Sequence, residues 1–221
     1  MGQTKRHLAI GDIHGCLRSL VGVAAAAKIS ESDLVVTLGD YVDRGPDSRG
    51  VIEWLLEWSR RGQLVPIRGN HDLMMMQARD GGPSESGWLE SDGDATLTSY
   101  GGSLDDVPAE HWEFLEGTRL IHETDTHFYV HANVYAEYAL EDQPEYMLLW
   151  EKLDRATPHI SGKIMVCGHT PQKSGRPRNL RHAICVDTGA CKGGWLTCLE
   201  VRTGEYWQAN EAGEVRGDRL T

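Results

Sequence analysis

What this sequence lacks narrows it first. No stretch of its 221 residues approaches the ~20 consecutive apolar residues that a membrane span requires. The charged start, MGQTKRHLAIGD, has no apolar core of a secretory leader. Cysteine is sparse: Cys16, Cys167, Cys185, Cys191 and Cys198 make an odd number, with no CxxC pair and no dense framework. Reduced thiols in a soluble cytoplasmic protein are therefore the expectation. Positive charge is in deficit, with 22 Lys and Arg against 33 Asp and Glu and a net charge of −11. General binding to a nucleic-acid backbone or an anionic membrane needs clustered Lys and Arg, so both roles are excluded. A small phosphorylated group is not, because a local cationic site fits inside an acidic molecule. Neither an internal repeat nor a low-complexity tail is present.

What is present is an ordinary globular composition, 40% hydrophobic and 25% charged. A chain of this length buries roughly 70% of its unfolded surface and needs no staples, so one domain over residues 1–221 is expected. Leu8 to Ile10, Leu34 to Leu38 and Leu64 to Ile67 are short apolar runs that read as strands. Between them, Leu17 to Ile29 and Ser48 to Trp58 read as helices, the second amphipathic through Val51, Leu55 and Trp58. A β-α-β-α-β series implies parallel strands with crossover helices, an α/β fold. In the second half, Phe128 to Val130, Ile164 to Cys167, Ala183 to Val186, Trp195 to Val201 and Tyr206-Trp207 read as strands of a mixed or antiparallel sheet completing the domain. Residues 80–108 differ. Their Gly, Ser and Asp, with some helix around Trp88 and Leu97, suit an excursion or cap that borders a site and selects substrates, or else a surface connection without a role.

The polar groups that follow these strands are Asp12 and His14; Asp40, Asp43 and Arg44; Asn70 and His71; His131; and His169. Glycines flank most of them and permit close backbone approach. Ligands in open α/β sheets bind at the C-terminal ends of the strands, so these groups are expected at one rim. Two divalent ions at ~3.5–4 Å need a shared anionic bridge, which a single carboxylate supplies. Asp12, His14 and Asp40 divide around one ion, and Asp40, Asn70, His131 and His169 around the other. Two carboxylates against two divalent cations leave a positive surplus that attracts phosphate. Mixed imidazole and carboxylate donors favour manganese, iron or zinc over magnesium, and manganese is the first choice.

Gly11-Asp12-Ile13-His14-Gly15, Gly39-Asp40-Tyr41-Val42-Asp43-Arg44-Gly45 and Arg68-Gly69-Asn70-His71-Asp72 resemble the three signatures of the phosphoprotein phosphatase family of calcineurin-like metallophosphoesterases, in the same order and at similar spacing. Val166-Cys167-Gly168-His169-Thr170-Pro171 and Val186-Asp187-Thr188-Gly189 resemble later motifs of its small bacterial branch. That resemblance implies a sandwich of mixed β-sheets flanked by helices, and a hydrolase acting on phosphoric esters. It implies in-line attack of a metal-bound hydroxide on a phosphomonoester, with phosphoserine or phosphothreonine in proteins as the natural target. The alternative substrate is a dinucleoside polyphosphate, cleaved symmetrically as diadenosine tetraphosphate is, or another nucleotide. His71 would be the general acid, Asp43 its orienting carboxylate, and Arg44 the clamp on phosphate oxygens.

Two positions depart from the pattern. His131 is followed by Ala132-Asn133 where the family commonly has Gly-Gly. Lys152 stands where a second phosphate-binding arginine often does, with Arg155 nearby as a substitute. The remaining histidines, His7, His111, His122, His127, His159 and His182, are expected at the surface. Trp54 and Trp58, at i and i+4, are expected to pack a helix, and Met74 to Met76 to fill the core. Cys16 has no nucleophilic role, and Asp92 and Asp94 belong to no EF-hand pattern. A non-catalytic module of the same fold is the third class, and retention of all six metal donors with His71 and Asp43 speaks against it.

Overall fold

Alternation within the short strands decides the layering. In the computed structural model, which describes residues 5–154 and 156–221, Leu8 and Ile10 of strand β1 (His7–Ile10) pack on one side and Ala9 on the other. The same division holds for Val35 and Val36 of β2 (Leu34–Thr37), and the helices α1 (Leu17–Ala26) and α2 (Ser48–Arg61) cover the outer side. Strand β3 (Gln63–Pro66) pairs in parallel with β2, as β2 does with β1, so the series read from the sequence is present. The first helix stops at Ala26, short of Ile29, and Lys28 follows at a positive φ of 48°.

Four helices follow β3. They are α3 (Asn70–Ala78), then α4 (Gly82–Trp88) and α5 (Asp94–Tyr100) within the 80–108 excursion, and α6 (Ala109–Glu116). The second half does not simply complete the first sheet. Strands β4 (Ile121–Glu123) and β5 (His127–Val130) are followed by a short helix, α7 (Glu145–Trp150). Three further strands complete a separate sheet: β6 (Ile164–Cys167), β7 (Arg178–Asn179) and β8 (Ala183–Cys185). Its order is β4-β5-β6-β8-β7, with β5, β6 and β8 mutually parallel and antiparallel strands at both edges. Strands β9 (Leu196–Glu200), β10 (Glu205–Ala209) and β11 (Val215–Arg219) return to the first sheet, whose order is β11-β10-β9-β1-β2-β3.

The inner faces of the two sheets bury Ala9, Val36, Leu38, Ile67, Tyr129, Val166, Ile184 and Leu199 against one another. Outside the second sheet, Phe128, Val130, Met165 and Cys167 pack with Leu148 and Leu149 of α7. The result is helix, sheet, sheet, helix: a sandwich of mixed sheets. Each fully buried Leu, Ile or Val contributes about 1.5–3 kcal/mol relative to exposure. Helix α2 shows how local signals serve this packing. Asp47 caps it by accepting from Gly50 N at 2.8 Å, and Val51, Ile52, Leu55 and Trp58 face inward. Trp54 and Trp58 stack at 5.9 Å, and Met75 is buried with Met74 and Met76 against the same cluster, as expected.

The surface expectation fails for four histidines. His7, His111, His127 and His159 are buried; His7 and His127 each keep one ring nitrogen without a partner, while His111 and His159 are hydrogen-bonded. His111 Nδ1 meets the Tyr100 hydroxyl at 2.7 Å, and His159 Nε2 donates to Tyr138 O at 2.8 Å. An imidazole satisfied in this way is buried at little cost, and hydropathy gives no sign of such a partner. Arg155 lies outside the described residues. Among the described residues, no helix is long and apolar enough to cross a membrane.

The start of β2 is pinned by one buried carboxylate. Asp33 accepts from Arg6 Nε and Nη2 at 2.9 and 2.6 Å and from Ser30 N at 2.8 Å. Burial alone would push this carboxyl up, but the Arg6 and Ser30 hydrogen bonds outweigh it and hold it below the usual carboxylate range. A depressed folded-state pKa adds stability above the unfolded value and loses it as pH falls through the folded one. Asp33→Asn should therefore cost about 1–3 kcal/mol at pH 7. Urea unfolding at pH 7 and below pH 4 checks this, since the gap from wild type should shrink in acid.

Candidate metal centre

Every chemically loaded segment leaves the C-terminal end of a parallel strand. Asp12 and His14 follow β1, and Asp40, Asp43 and Arg44 follow β2. Asn70 and His71 open α3 after β3, His131 follows β5, His169 follows β6, and Asp187 follows β8. The loops are stitched together by backbone: His14 N donates to Asp40 O at 2.7 Å, and Gly168 N to His131 O at 2.8 Å. The buried Asp72 carboxylate accepts from the N–H groups of Gly69, Asp40 and Tyr41 at 2.8, 2.9 and 2.8 Å. Two glycines are fixed by close approach. A Cβ on Gly69 would strike the Asp40 carboxylate, and one on Gly168 that of Asp12. His14, Asp40, Asp43, Arg44 and His169 all have positive φ, between 46° and 72°. Such conformations cost about 1–3 kcal/mol each and persist only where the surroundings enforce them.

The tautomers of three imidazoles follow from their carbonyl partners, which can only accept. His14 Nδ1 donates to Val42 O at 2.9 Å, His131 Nδ1 to Leu38 O at 2.7 Å, and His169 Nε2 to Trp150 O at 3.1 Å. In the neutral rings the opposite nitrogens are bare. His131 Nε2 then lies 3.0 Å from Asn70 Oδ1, 3.2 Å from His169 Nδ1 and 3.5 Å from Asp40 Oδ1, and Asn70 Oδ1 is 3.1 Å from His169 Nδ1. Four acceptors face one another with no proton among them. Across the shared carboxylate, His14 Nε2 lies 3.2 Å from Asp40 Oδ2 and accepts from Arg44 Nη1 at 2.8 Å. Two groups of ligand atoms, each within 4.8 Å, are formed by His14, Asp40 and His71 and by Asp40, His131 and His169. Such an array repels itself without a cation and suits one at each end of Asp40. Imidazoles oriented by carbonyls on the far side are what metal ligation requires. The first group holds His71 where Asp12 was expected. Asp12 borders the same cavity and accepts the His169 N–H at 3.0–3.1 Å.

The charges agree with this need. Burial pushes the Asp12 carboxyl up, reinforced by Asp187 and Asp40, and burial raises Asp187 to about 6. Burial also lowers His131, and lowers His169 to about 4 with help from His131, so both rings are neutral near pH 7. Asp40 would rise by burial, but as it titrates in acid the protonated rings of His131, His71 and His14 hold it well below the usual carboxylate range.

A cavity of about 270 Å³ opens over these groups, and its wall includes Arg44, Lys152, Lys192 and Cys191. Both expected phosphate contacts are therefore at the cavity. Beside it, His71 Nδ1 donates to Asp43 Oδ2 at 2.7 Å, with both side chains buried. Four side chains at or behind the cavity, Asp187, Lys192, Trp88 and Thr96, received no role from the sequence. Asp187 repeats the strand-end signature of Asp12 and was legible on that ground. Trp88 and Thr96, which reach Asp43 across 45 and 53 residues, carry no such signal. No residue of 80–108 lines the cavity itself, although Asp92 of the excursion contacts Arg44 of its wall.

A profile of the calcineurin-like phosphoesterase family matches residues 5–185. The chain is similar to serine/threonine-protein phosphatase 1 of Salmonella typhimurium, 31% identical over 209 residues that span 89% of this chain and 93% of that protein. It is also similar to a symmetrical bis(5'-nucleosyl)-tetraphosphatase of Methylobacillus flagellatus, 28% identical over 67% of this chain and 49% of that protein. The fold matches a cold-active protein-tyrosine phosphatase of a psychrophilic Shewanella species with a TM-score of 0.68, at 17% identity, over 96% of this chain and 80% of that one. With the sandwich, the facing donors and these likenesses together, the chain belongs to the calcineurin-like phosphoesterases, hydrolases of phosphoric esters with a dinuclear divalent metal centre.

Proposed function

We propose that this protein is a cytoplasmic phosphatase that removes phosphate from serine and threonine side chains of proteins. The observation that carries the reading is the Asp40 carboxylate shared by two groups of candidate metal donors, flanked by the His71–Asp43 pair and by Arg44. In this reading Asp12, His14, Asp40, Asn70, His131 and His169 hold the two ions, and the mix of imidazole, amide and carboxylate suits manganese, with iron or zinc as alternatives. When bound, two such ions lower the pKa of a water and stabilise charge on the phosphoryl oxygens. The chain's own groups do the rest. Neutral Asn70 and the imidazoles leave the positive surplus unquenched. The Arg44 guanidinium clamps two phosphoryl oxygens, and Lys152 adds a point charge. His71, with Nδ1–H held by Asp43, delivers the proton on Nε2 to the departing alkoxide. Support for a protein substrate comes from the phosphatase relative aligned over nearly the full length of both chains.

A second reading is symmetrical hydrolysis of a dinucleoside tetraphosphate. What favours it is the additional cation Lys192, which lines the cavity with Lys152 and would suit a longer phosphate chain.

Three outcomes are expected. Manganese-loaded wild type should retain two equivalents of metal by elemental analysis, and Asp40→Asn fewer than one; full retention would remove the shared carboxylate from the account. His71→Asn should lose about 10²–10⁴-fold in kcat on a phosphoserine peptide. It should lose far less on p-nitrophenyl phosphate, whose leaving group hardly needs an acid, and equal losses would leave His71 a positional role only. On a substrate panel, phosphopeptides should outpace diadenosine tetraphosphate in kcat/KM. Preferential release of two ADP per turnover would instead select the second reading.

A further inference from the structure

Asp43 is wholly buried, and the imidazole is not its only partner. The Trp88 indole Nε1 donates to both carboxylate oxygens at 3.0 Å, and Thr96 Oγ1 donates to Oδ1 at 2.8 Å. Thr96 Oγ1 also accepts from Asp43 N at 2.8 Å and lies 3.0 Å from Ser48 Oγ. Trp88 and Thr96 both come from the 80–108 excursion, on α4 and α5. The turn between these helices also holds the neighbouring residue. Arg44 N donates to Asp92 O at 3.2 Å, and Arg44 Nε lies 3.6 Å from Asp92 Oδ2. Gly93 in that turn packs flat on the Trp88 ring, where a Cβ would sit 2.5 Å from the indole. One segment thus fixes two consecutive residues of positive φ, Asp43 at 72° and Arg44 at 69°.

We infer that Trp88 and Thr96 are positioning residues for proton delivery, and that the 80–108 excursion is a brace behind the acid pair. The inference rests on His71 acting as the general acid. A carboxylate held by the imidazole alone is free to turn about its Cβ–Cγ bond and to carry the ring with it. Donors on both oxygens fix the carboxylate plane, and through it the direction of His71 Nε2. Proton transfer depends steeply on that direction. A merely structural pair would instead affect folding, and would slow every substrate alike.

The test compares wild type, His71→Asn, Trp88→Phe, Thr96→Val and Thr96→Ser on a phosphoserine peptide and on p-nitrophenyl phosphate, with thermal midpoints for each. Trp88→Phe and Thr96→Val should lose about 10-fold or more on the peptide and markedly less on the aryl ester. Thr96→Ser, which keeps the hydroxyl, should recover most of the loss. In metal-free protein, the Trp88 indole N–H should exchange slowly with solvent, and its NMR resonance should move in Asp43→Asn. Equal losses on both substrates, or no loss in folded variants, would overturn the inference if His71→Asn still discriminates between the esters. If His71→Asn itself does not discriminate, the acid assignment fails and the inference falls with it. Should Trp88→Phe not fold, the Thr96 pair decides alone.

Discussion

The Asp40 carboxylate is the constraint on which the rest of the site depends. One of its oxygens faces His14 and the other faces His131, and on the His131 side unprotonated nitrogen and oxygen acceptors crowd together. Packing alone does not bring so many acceptors together, because each loses water and gains no proton in exchange. A divalent ion at each end of the carboxylate removes the conflict. The surrounding backbone is organised for that position. The Asp72 staple ties the loop after β2 to the loop after β3, and the carbonyls of Val42, Leu38 and Trp150 turn three imidazoles inward.

The layered fold explains why residues from six strand ends meet. Parallel strands β1, β2 and β3 in one sheet and β5, β6 and β8 in the other release their loops at a common rim. The cationic side chains of the cavity wall occupy the same rim within a chain of net charge −11. Arg44, Lys152 and Lys192 form a local cationic patch on the cavity wall of an acidic molecule.

Much of this was legible before any coordinates. Short apolar runs ending in Gly-Asp, Gly-Asn or Gly-His announced both the strands and their polar tips, because a buried strand and a glycine turn leave local marks. The split into two sheets was not legible. Phe128 to Val130 and Ile164 to Cys167 read as strands, but nothing in either run says which edge it pairs with. The burial of His7, His111 and His159 escaped because each meets a partner distant in sequence, Arg202, Tyr100 and Tyr138. The support of Asp43 by Trp88 and Thr96 escaped for the same reason. The excursion's Gly, Ser and Asp content describes turns and does not reveal which way its two larger side chains point. Trp88 and Thr96 point to the buried Asp43 behind the cavity.

The tight seats of Gly69 and Gly168 bear on how such a site can change over time. Neither residue donates an atom to a metal, yet a single methyl group at either would displace a carboxylate of the cluster. Ligand and spacer are thus locked into one unit, so drift at a silent-looking neighbour would be felt as loss of the cation itself. The lysines and the cysteine of the cavity wall have no such tight seat against the Asp12 or Asp40 carboxylate.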